Sequence, residues 1–185
     1  MAAERAGQAG LKVVLFEKEA MGGVCLNEGC IPTKTLLYGA KIYENVLQGD
    51  KYGVFSDAPR FDYAKMVSRK KKVVRRLVLG VEAKMKAHKV TVVKGEATIV
   101  GRSSAGIEVS SNGESFIGKN LLICTGSESV ILPIPGLAEA GDVVVTNREI
   151  LEMTTCPESL VVIGGGVIGM EFASLYNSLG AQVTV

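Results

Sequence analysis

Apolar residues along the chain recur at spacings of about 3.6 and about 2 residues in turn, and this alternation predicts an α/β order of elements. Ala2 to Ala9 reads as a short helix rich in Ala and Glu, closed by Gly10, and the apolar run Val13 to Phe16 follows as a strand. A second helix begins near Ile31 and Pro32, since proline in a first turn sacrifices no amide hydrogen bond. Leu36, Leu37, Ala40 and Tyr43 form its buried stripe. Gln48, Gly49 and Asp50 close that segment, and Gly53 to Pro59 reads as loop. Phe61 to about Lys86 predicts a long helix, with Met66, Val73, Leu77 and Val81 at helical spacing and Val74, Leu79 and Met85 widening the stripe.

Short strands follow at Val90 to Val93, Ala97 to Val100, Ile107 to Ser110 and Phe116 to Cys124. Asn112-Gly113 is a hairpin signal, because both residues tolerate positive φ. Three or four such strands between helices predict a small antiparallel meander set into an α/β domain. Pro133, Pro135 and Gly136 mark a boundary. Beyond it Leu160 to Ile163 reads as a buried strand, Val167 to Leu179 as a helix and Val183 to Val185 as the start of another strand. A helix with no strand before it, and a last strand that has only begun, lead to the expectation of a chain cut at both ends. Residues 1–141 are expected to form one α/β domain and residues 142–185 the start of a second.

Composition narrows the class. With 47% hydrophobic and 22% charged residues, the chain has the make-up of a soluble globular protein. Its formal charge of +2 gives no reason to expect nucleic acid or an anionic membrane as partner. No apolar run approaches the ~18 residues of a membrane span, and the N-terminus lacks the basic-then-apolar order of a signal peptide, so a cytoplasmic location is expected. The basic run Arg69 to Lys72 with Arg75 and Arg76 reads as a solvated helix face, with a phosphate-binding face as the alternative. His88, the only histidine, reads as a surface or cap residue.

Two segments carry chemistry. Gly164, Gly166 and Gly169 fit G-x-G-x-x-G between an expected strand and an expected helix, the setting in which a dinucleotide pyrophosphate meets a helix N-terminus; a turn selected only for packing is the alternative. The acidic residue that would hold a ribose about twenty positions on falls at or past the end, leaving NAD against NADP open. Glu17 closes the first strand, where such an acid would stand in an earlier dinucleotide unit, or where a solvated glutamate would equally stand. In GGVCLNEGCIPTK, Cys25 and Cys30 can reach disulfide distance if the loop curls, and Cys30 directly precedes a helix start that favours a thiolate. A redox pair, two unremarkable cysteines and half of a metal site all stay open at this point.

These segments resemble, in order, the motifs of the pyridine nucleotide-disulfide oxidoreductases: the strand-end Glu17, the redox segment GGVCLNEGCIPTKTLL, the segment LLICTGS with LPIPG after it, and the turn GGGVIGMEFAS. The resemblance covers essentially the whole chain, and Leu26 and Ile31-Pro32 look more like the lipoamide enzymes than the glutathione or mercuric reductases. It implies a Rossmann-like FAD-binding domain with a small antiparallel meander and the start of a Rossmann-like NAD-binding domain. It implies NAD-linked oxidation of dihydrolipoamide through a Cys25–Cys30 disulfide and FAD. Cys30 would face the flavin and Cys25 would exchange with the lipoyl sulfur. Lys34 would sit near flavin N5, paired with Glu171. Glu17 would bind the FAD ribose, Gly95 and Ala97 would approach the adenine, and Thr125 and Gly126 would pass close to the FAD. Gly164, Gly166 and Gly169 would hold the NAD pyrophosphate. Implied partners are the lipoyl groups of 2-oxo acid dehydrogenase or glycine cleavage complexes, with a homodimer for the full-length protein. The family's catalytic histidine belongs to a segment not matched here, so this stretch alone is not expected to complete the reaction. A non-catalytic module that keeps the fold, another disulfide reductase of the family, and a flavin-free dithiol oxidoreductase are the competing readings.

Overall fold

The computed structural model describes residues 1–185. Its elements run α1 (Ala2–Gln8), β1 (Val14–Glu17), α2 (Gly23–Asn27), α3 (Cys30–Leu47), α4 (Tyr63–Ala87), β2 (Thr91–Lys94), β3 (Thr98–Ser103) and β4 (Gly106–Ser111). They continue with β5 (Glu114–Gly118), α5 (Asn147–Glu152), β6 (Ser159–Val161), α6 (Val167–Ser178) and β7 (Gln182–Thr184). The α/β class expected from the alternating periods is what the chain adopts. Contacts gather into two units, one made of Met1–Gly23 and Arg76–Ser127, the other of Val24–Arg75 and Glu128–Val185.

In the first unit β1 and β2 pair in parallel, Val14 beside Thr91 through Glu17 beside Lys94. Met21, Met85 and Val90 are buried there against Ala3, Val13, Leu15, Val78, Val81 and Val92. The strand expected at Val90 to Val93 therefore belongs to a parallel pair, and the meander consists of β3, β4 and β5 alone. Asn112 and Gly113, at φ +52° and +80°, make the hairpin turn between β4 and β5 as their positive-φ tolerance predicts. Phe16 and Phe116 meet edge to face with ring centroids 5.2 Å apart.

One expected strand is corrected. Phe116 to Cys124 does not continue past Gly118; Leu122 and Ile123 stand 68% and 65% exposed, and Cys124 is exposed with them. A β-prone apolar run becomes a strand only where a neighbouring strand takes its backbone groups, and Leu121 to Cys124 have no ladder partner.

In the second unit α3 packs on α6. Leu36 and Ala40 of α3 share a core with Tyr63, Val67, Ile150, Leu151, Phe172, Leu175, Tyr176, Leu179 and Ala181. Each large side chain buried this fully contributes about 1.5–3 kcal/mol of burial. Glu44 Oε1 accepts from Ser178 Oγ at 2.8 Å, so the later turns of both helices are tied as well as their starts. That hydrogen bond, and then the one from Lys41, hold the Glu44 carboxyl below its usual range. Tyr176 donates to Ile150 O at 3.4 Å and meets the Tyr63 hydroxyl at 2.7 Å; burial of the two phenols raises both above the ordinary tyrosine value. β6 and β7 pair in parallel, Ser159 beside Gln182.

The buried row of α4 also differs from the expected stripe. Tyr63, Val67, Lys70 and Met85 are buried, whereas Leu77 and Leu79 stand 41% and 55% exposed. Stepping by three and four residues from Tyr63 leads through Val67 and Lys70 to Leu77, and Leu79 lies off that row; Leu77 shares the face but not the burial, because an apolar face is buried only where another element covers it. Lys70 is the surprise, a cation from the basic run expected to be solvated. Its Nζ donates to Leu151 O and to Glu152 Oε1, both at 2.7 Å, and Lys71 meets Glu152 Oε2 at 2.7 Å.

Candidate functional site

The loop between the two cysteines is built from short-range geometry. α2 is a single turn of five residues, and the Glu28 amide donates back to Val24 O at 2.8 Å to end it. Gly29 then caps α3, whose first residue is Cys30. A Cβ on Gly29 would lie 3.2 Å from Val24 O and 3.3 Å from Cys25 Cα, so the absence of a side chain lets the turn fold this tightly. Cys25 and Cys30 are joined in a disulfide with their Cα atoms 4.7 Å apart. Both residues are exposed, and no side chain caps the first turn of α3, so its unpaired amides and positive dipole end lie at Cys30. Such a field favours the Cys30 thiolate once the bond is reduced. The other two cysteines are free; burial pushes the Cys156 thiol up.

One turn beyond Cys30, Lys34 Nζ donates to Glu171 Oε1 at 2.5 Å. Glu171 sits in the second turn of α6, so the pair joins the starts of α3 and α6. The lysine side chain keeps 58% exposure and the glutamate 23%, which leaves the ammonium with donors free for a ligand while the carboxylate orients it.

The glycine turn precedes α6. Gly164 adopts φ +109°, and Cβ atoms at Gly164, Gly165 and Gly166 would meet nothing within 4 Å. Gly169 is the opposite case: a Cβ there would stand 2.7 Å from Gly164 O and 2.9 Å from Val162 Cγ1. The first glycines thus leave open space for an anion before the uncapped helix start, and the last lets helix and strand touch. These residues fit a dinucleotide pyrophosphate.

Glu17, Gly95, Ala97, Thr125 and Gly126 all lie in the first unit. Gly95 N donates to Glu17 O at 3.0 Å, which brings the ends of β1 and β2 together, and Ala97 immediately precedes β3. Glu17 Oε1 accepts from the Glu19 amide at 2.9 Å, so one carboxylate oxygen is oriented by its own turn. Thr125 and Gly126 are exposed and belong to no regular element. His88, just past α4, has its ring Nε2 3.2 Å from Gln8 Nε2 and reaches no residue named for the site.

Sequence reasoning missed a cluster around Glu28, the residue midway between the cysteines. Asn147 Nδ2 donates to Glu28 O at 2.8 Å, Arg148 Nε pairs with Glu28 Oε2 at 2.7 Å, and Ser129 Oγ donates to Asn147 Oδ1 at 2.6 Å. Asn147 and Arg148 open α5, which also escaped notice although Thr146 and Glu149 form a capping box there. The spacing Thr-x-x-Glu was the available signal.

No group of three or more His, Cys, Asp or Glu side chains is placed to hold a metal ion, and no helix is long and apolar enough to cross a membrane. The family model described as pyridine nucleotide-disulphide oxidoreductase matches residues 1–185. A dihydrolipoyl dehydrogenase of Acholeplasma laidlawii is 47% identical over 188 residues, covering 100% of this chain and 55% of that protein. One from Bacillus subtilis is 40% identical over 186 residues, covering 100% of this chain and 40% of the relative. The chain thus spans about half or less of these relatives' length. Among solved structures, the HOCl-induced flavoprotein disulfide reductase RclA of Escherichia coli superposes with a TM-score of 0.80 at 28% identity, over 98% of this chain and 38% of that one. LpdA of Mycobacterium tuberculosis gives 0.83 at 22% identity over 99% of this chain and 40% of its own, a likeness of Rossmann-type fold.

Proposed function

This chain belongs to the pyridine nucleotide-disulphide oxidoreductases, FAD-dependent enzymes that use NAD(H), and from that premise we propose that its protein is a dihydrolipoyl dehydrogenase. The reaction proposed is NAD-linked oxidation of dihydrolipoamide, with the lipoyl groups of 2-oxo acid dehydrogenase or glycine cleavage complexes as substrates, in a cytoplasmic homodimer. The observation that carries this reading is the exposed Cys25–Cys30 disulfide at the mouth of α3, with Lys34 one turn on and salt-bridged to Glu171. Identity of 47% and 40% to dihydrolipoyl dehydrogenases supports the choice within the family.

Each residue then has a defined task. Cys25 receives the attack of a substrate thiolate, forming a mixed disulfide and releasing Cys30 as a thiolate held by the helix-end field. The second substrate thiolate displaces Cys25, which closes the oxidised lipoyl ring and leaves both cysteines reduced. Lys34, held by Glu171, would sit near flavin N5 when the cofactor is bound, where its positive charge would stabilise negative charge on the reduced ring. Residues 1–141 are assigned to an FAD-binding domain, in which Glu17 would hold the ribose, Gly95 and Ala97 the adenine side, and Thr125 and Gly126 the approach to the cofactor. Residues 142–185 are assigned to an NAD-binding domain, with Gly164, Gly166 and Gly169 around the pyrophosphate. When bound, the flavin supplies the two-electron link between dithiol and nicotinamide.

The likeness to RclA favours a second reading, a reductase of a different disulfide on the same fold. Reconstitution of the chain with FAD, followed by anaerobic addition of dihydrolipoamide, separates the two. Dihydrolipoamide is expected to bleach the bound flavin's visible absorbance, and Cys30→Ser to abolish that bleaching. Bleaching at an unchanged rate in Cys30→Ser, or a flavin-loaded chain inert to dihydrolipoamide, overturns the proposal.

A further inference from the structure

We propose that Arg148 and Asn147 are positioning residues that set the thiol–disulfide equilibrium of Cys25–Cys30 by clamping Glu28, the residue between the cysteines. The inference rests on the reading of Cys25–Cys30 as the redox centre. It concerns only this chain's own sulfurs.

The two cysteines sit on different helices, Cys25 in α2 and Cys30 at the start of α3. The joint between them is Glu28-Gly29. α2 is too short to be rigid by itself, since one helical turn fixes several dihedrals for hardly any hydrogen bonds. What fixes the joint comes from far along the chain. Glu28 is held at its carbonyl by Asn147 (2.8 Å) and at its carboxylate by Arg148 (2.7 Å). The Asn147 amide cannot turn over freely, because Ser129 Oγ donates to its oxygen at 2.6 Å and so leaves its NH₂ facing Glu28. These clamping residues stand on a fixed base. α5 is capped at both backbone and side chain by Thr146 and Glu149, and Ile150 and Leu151 behind them are buried.

Reduction consumes two electrons and two protons: the Cys25–Cys30 bond breaks, two thiols form, and a small dithiol such as dithiothreitol closes its own disulfide in exchange. With Glu28 clamped, the reduced cysteines stay near bonding distance, and the chain gains little freedom on opening. With the clamp cut, the joint relaxes once the bond is broken, which favours the dithiol. The clamp therefore holds the potential of the pair down.

The test is equilibration of the oxidised chain with dithiothreitol buffers, with the reduced fraction read by alkylation and mass. Arg148→Gln is expected to shift the equilibrium about tenfold toward the dithiol, a potential about 30 mV higher. The exchange Glu28→Arg with Arg148→Glu rebuilds the ion pair reversed and is expected to bring the value back toward that of the original chain. Glu44→Ala, which cuts a polar tie at the far end of α3, serves as the control: it lowers the melting temperature and leaves the thiol equilibrium unmoved. An unchanged equilibrium in folded Arg148→Gln, or an equal shift in Glu44→Ala, overturns the inference. Because no flavin, nicotinamide or lipoyl substrate enters the measurement, its failure is distinct from failure of the proposed activity.

Discussion

At the residue scale, the least ordinary group is Lys70, a cation that is 2% exposed. Its burial is tolerated because the ammonium donates to two strong acceptors, the Leu151 carbonyl and the Glu152 carboxylate. Burial opposes the charge on Glu152, but the Lys70 and Lys71 ammonium groups outweigh it and hold the carboxyl below its usual value of 4.5. A carboxylate depressed in the folded state stabilises fully above its unfolded value and loses that stabilisation as pH falls through its folded one. Lys70→Ala is therefore expected to cost about 1–3 kcal/mol near neutral pH, since it strands a buried carbonyl. By urea denaturation the gap between variant and original chain should narrow well below pH 4.5, as protonated Glu152 ceases to reward Lys70 in the original chain while the variant has no Lys70 interaction to lose. A gap that is absent at pH 7, or that widens in acid, contradicts this. The basic run gave no hint of the arrangement, because a helix face is solvated or buried according to what packs on it, and α5 lies some 80 residues later.

At the scale of elements, the glycine turn separates two tasks that one motif merges. A Cβ at Gly169 would meet Gly164 O at 2.7 Å and Val162 Cγ1 at 2.9 Å, so an added methyl has to push α6 off the turn. Gly166, with φ −71° and open space at its Cβ position, accepts alanine in the fold, at the cost only of the room proposed for a ligand's phosphates. Gly169→Ala is expected to lower the melting temperature measurably, by an overpacking cost of about 1–3 kcal/mol. Gly166→Ala should leave it within error and weaken NADH binding instead. Equal melting temperatures for the two variants contradict the division. This much was legible in advance, since the spacing of Gly164, Gly166 and Gly169 against an apolar strand carries its own geometry. The helices α3, α4 and α6 were legible for the same reason, a long period of 3.6 residues. α2 and α5 were not: with five and six residues they are too short for periodicity to register, although the capping box at Thr146 announced the second. The strand expected to reach Cys124 failed for a different reason, because ladder partners are a tertiary property that β-propensity does not contain.

For the molecule as a whole, the candidate residues fall into two groups. Cys25, Cys30, Lys34, Glu171 and the glycines before α6 lie in one unit, and Glu17, Gly95, Ala97, Thr125 and Gly126 lie in the other. The division shows why the cysteine pair was the strongest signal in the sequence: its chemistry is carried by a few adjacent residues. The clamp on Glu28 is long-range, joining positions more than 100 residues apart, and no local pattern in the sequence announces it. If Cys25–Cys30 is a redox centre for a small dithiol, its sulfurs change their reactivity on exposure to one, and counting alkylated cysteines by mass reads that change. The oxidised chain should carry two labels, on Cys124 and Cys156, once unfolded in the alkylating reagent, and four after brief anaerobic exposure of the folded chain to dihydrolipoamide. Two labels under both conditions, with the folded disulfide untouched by the dithiol, would contradict it.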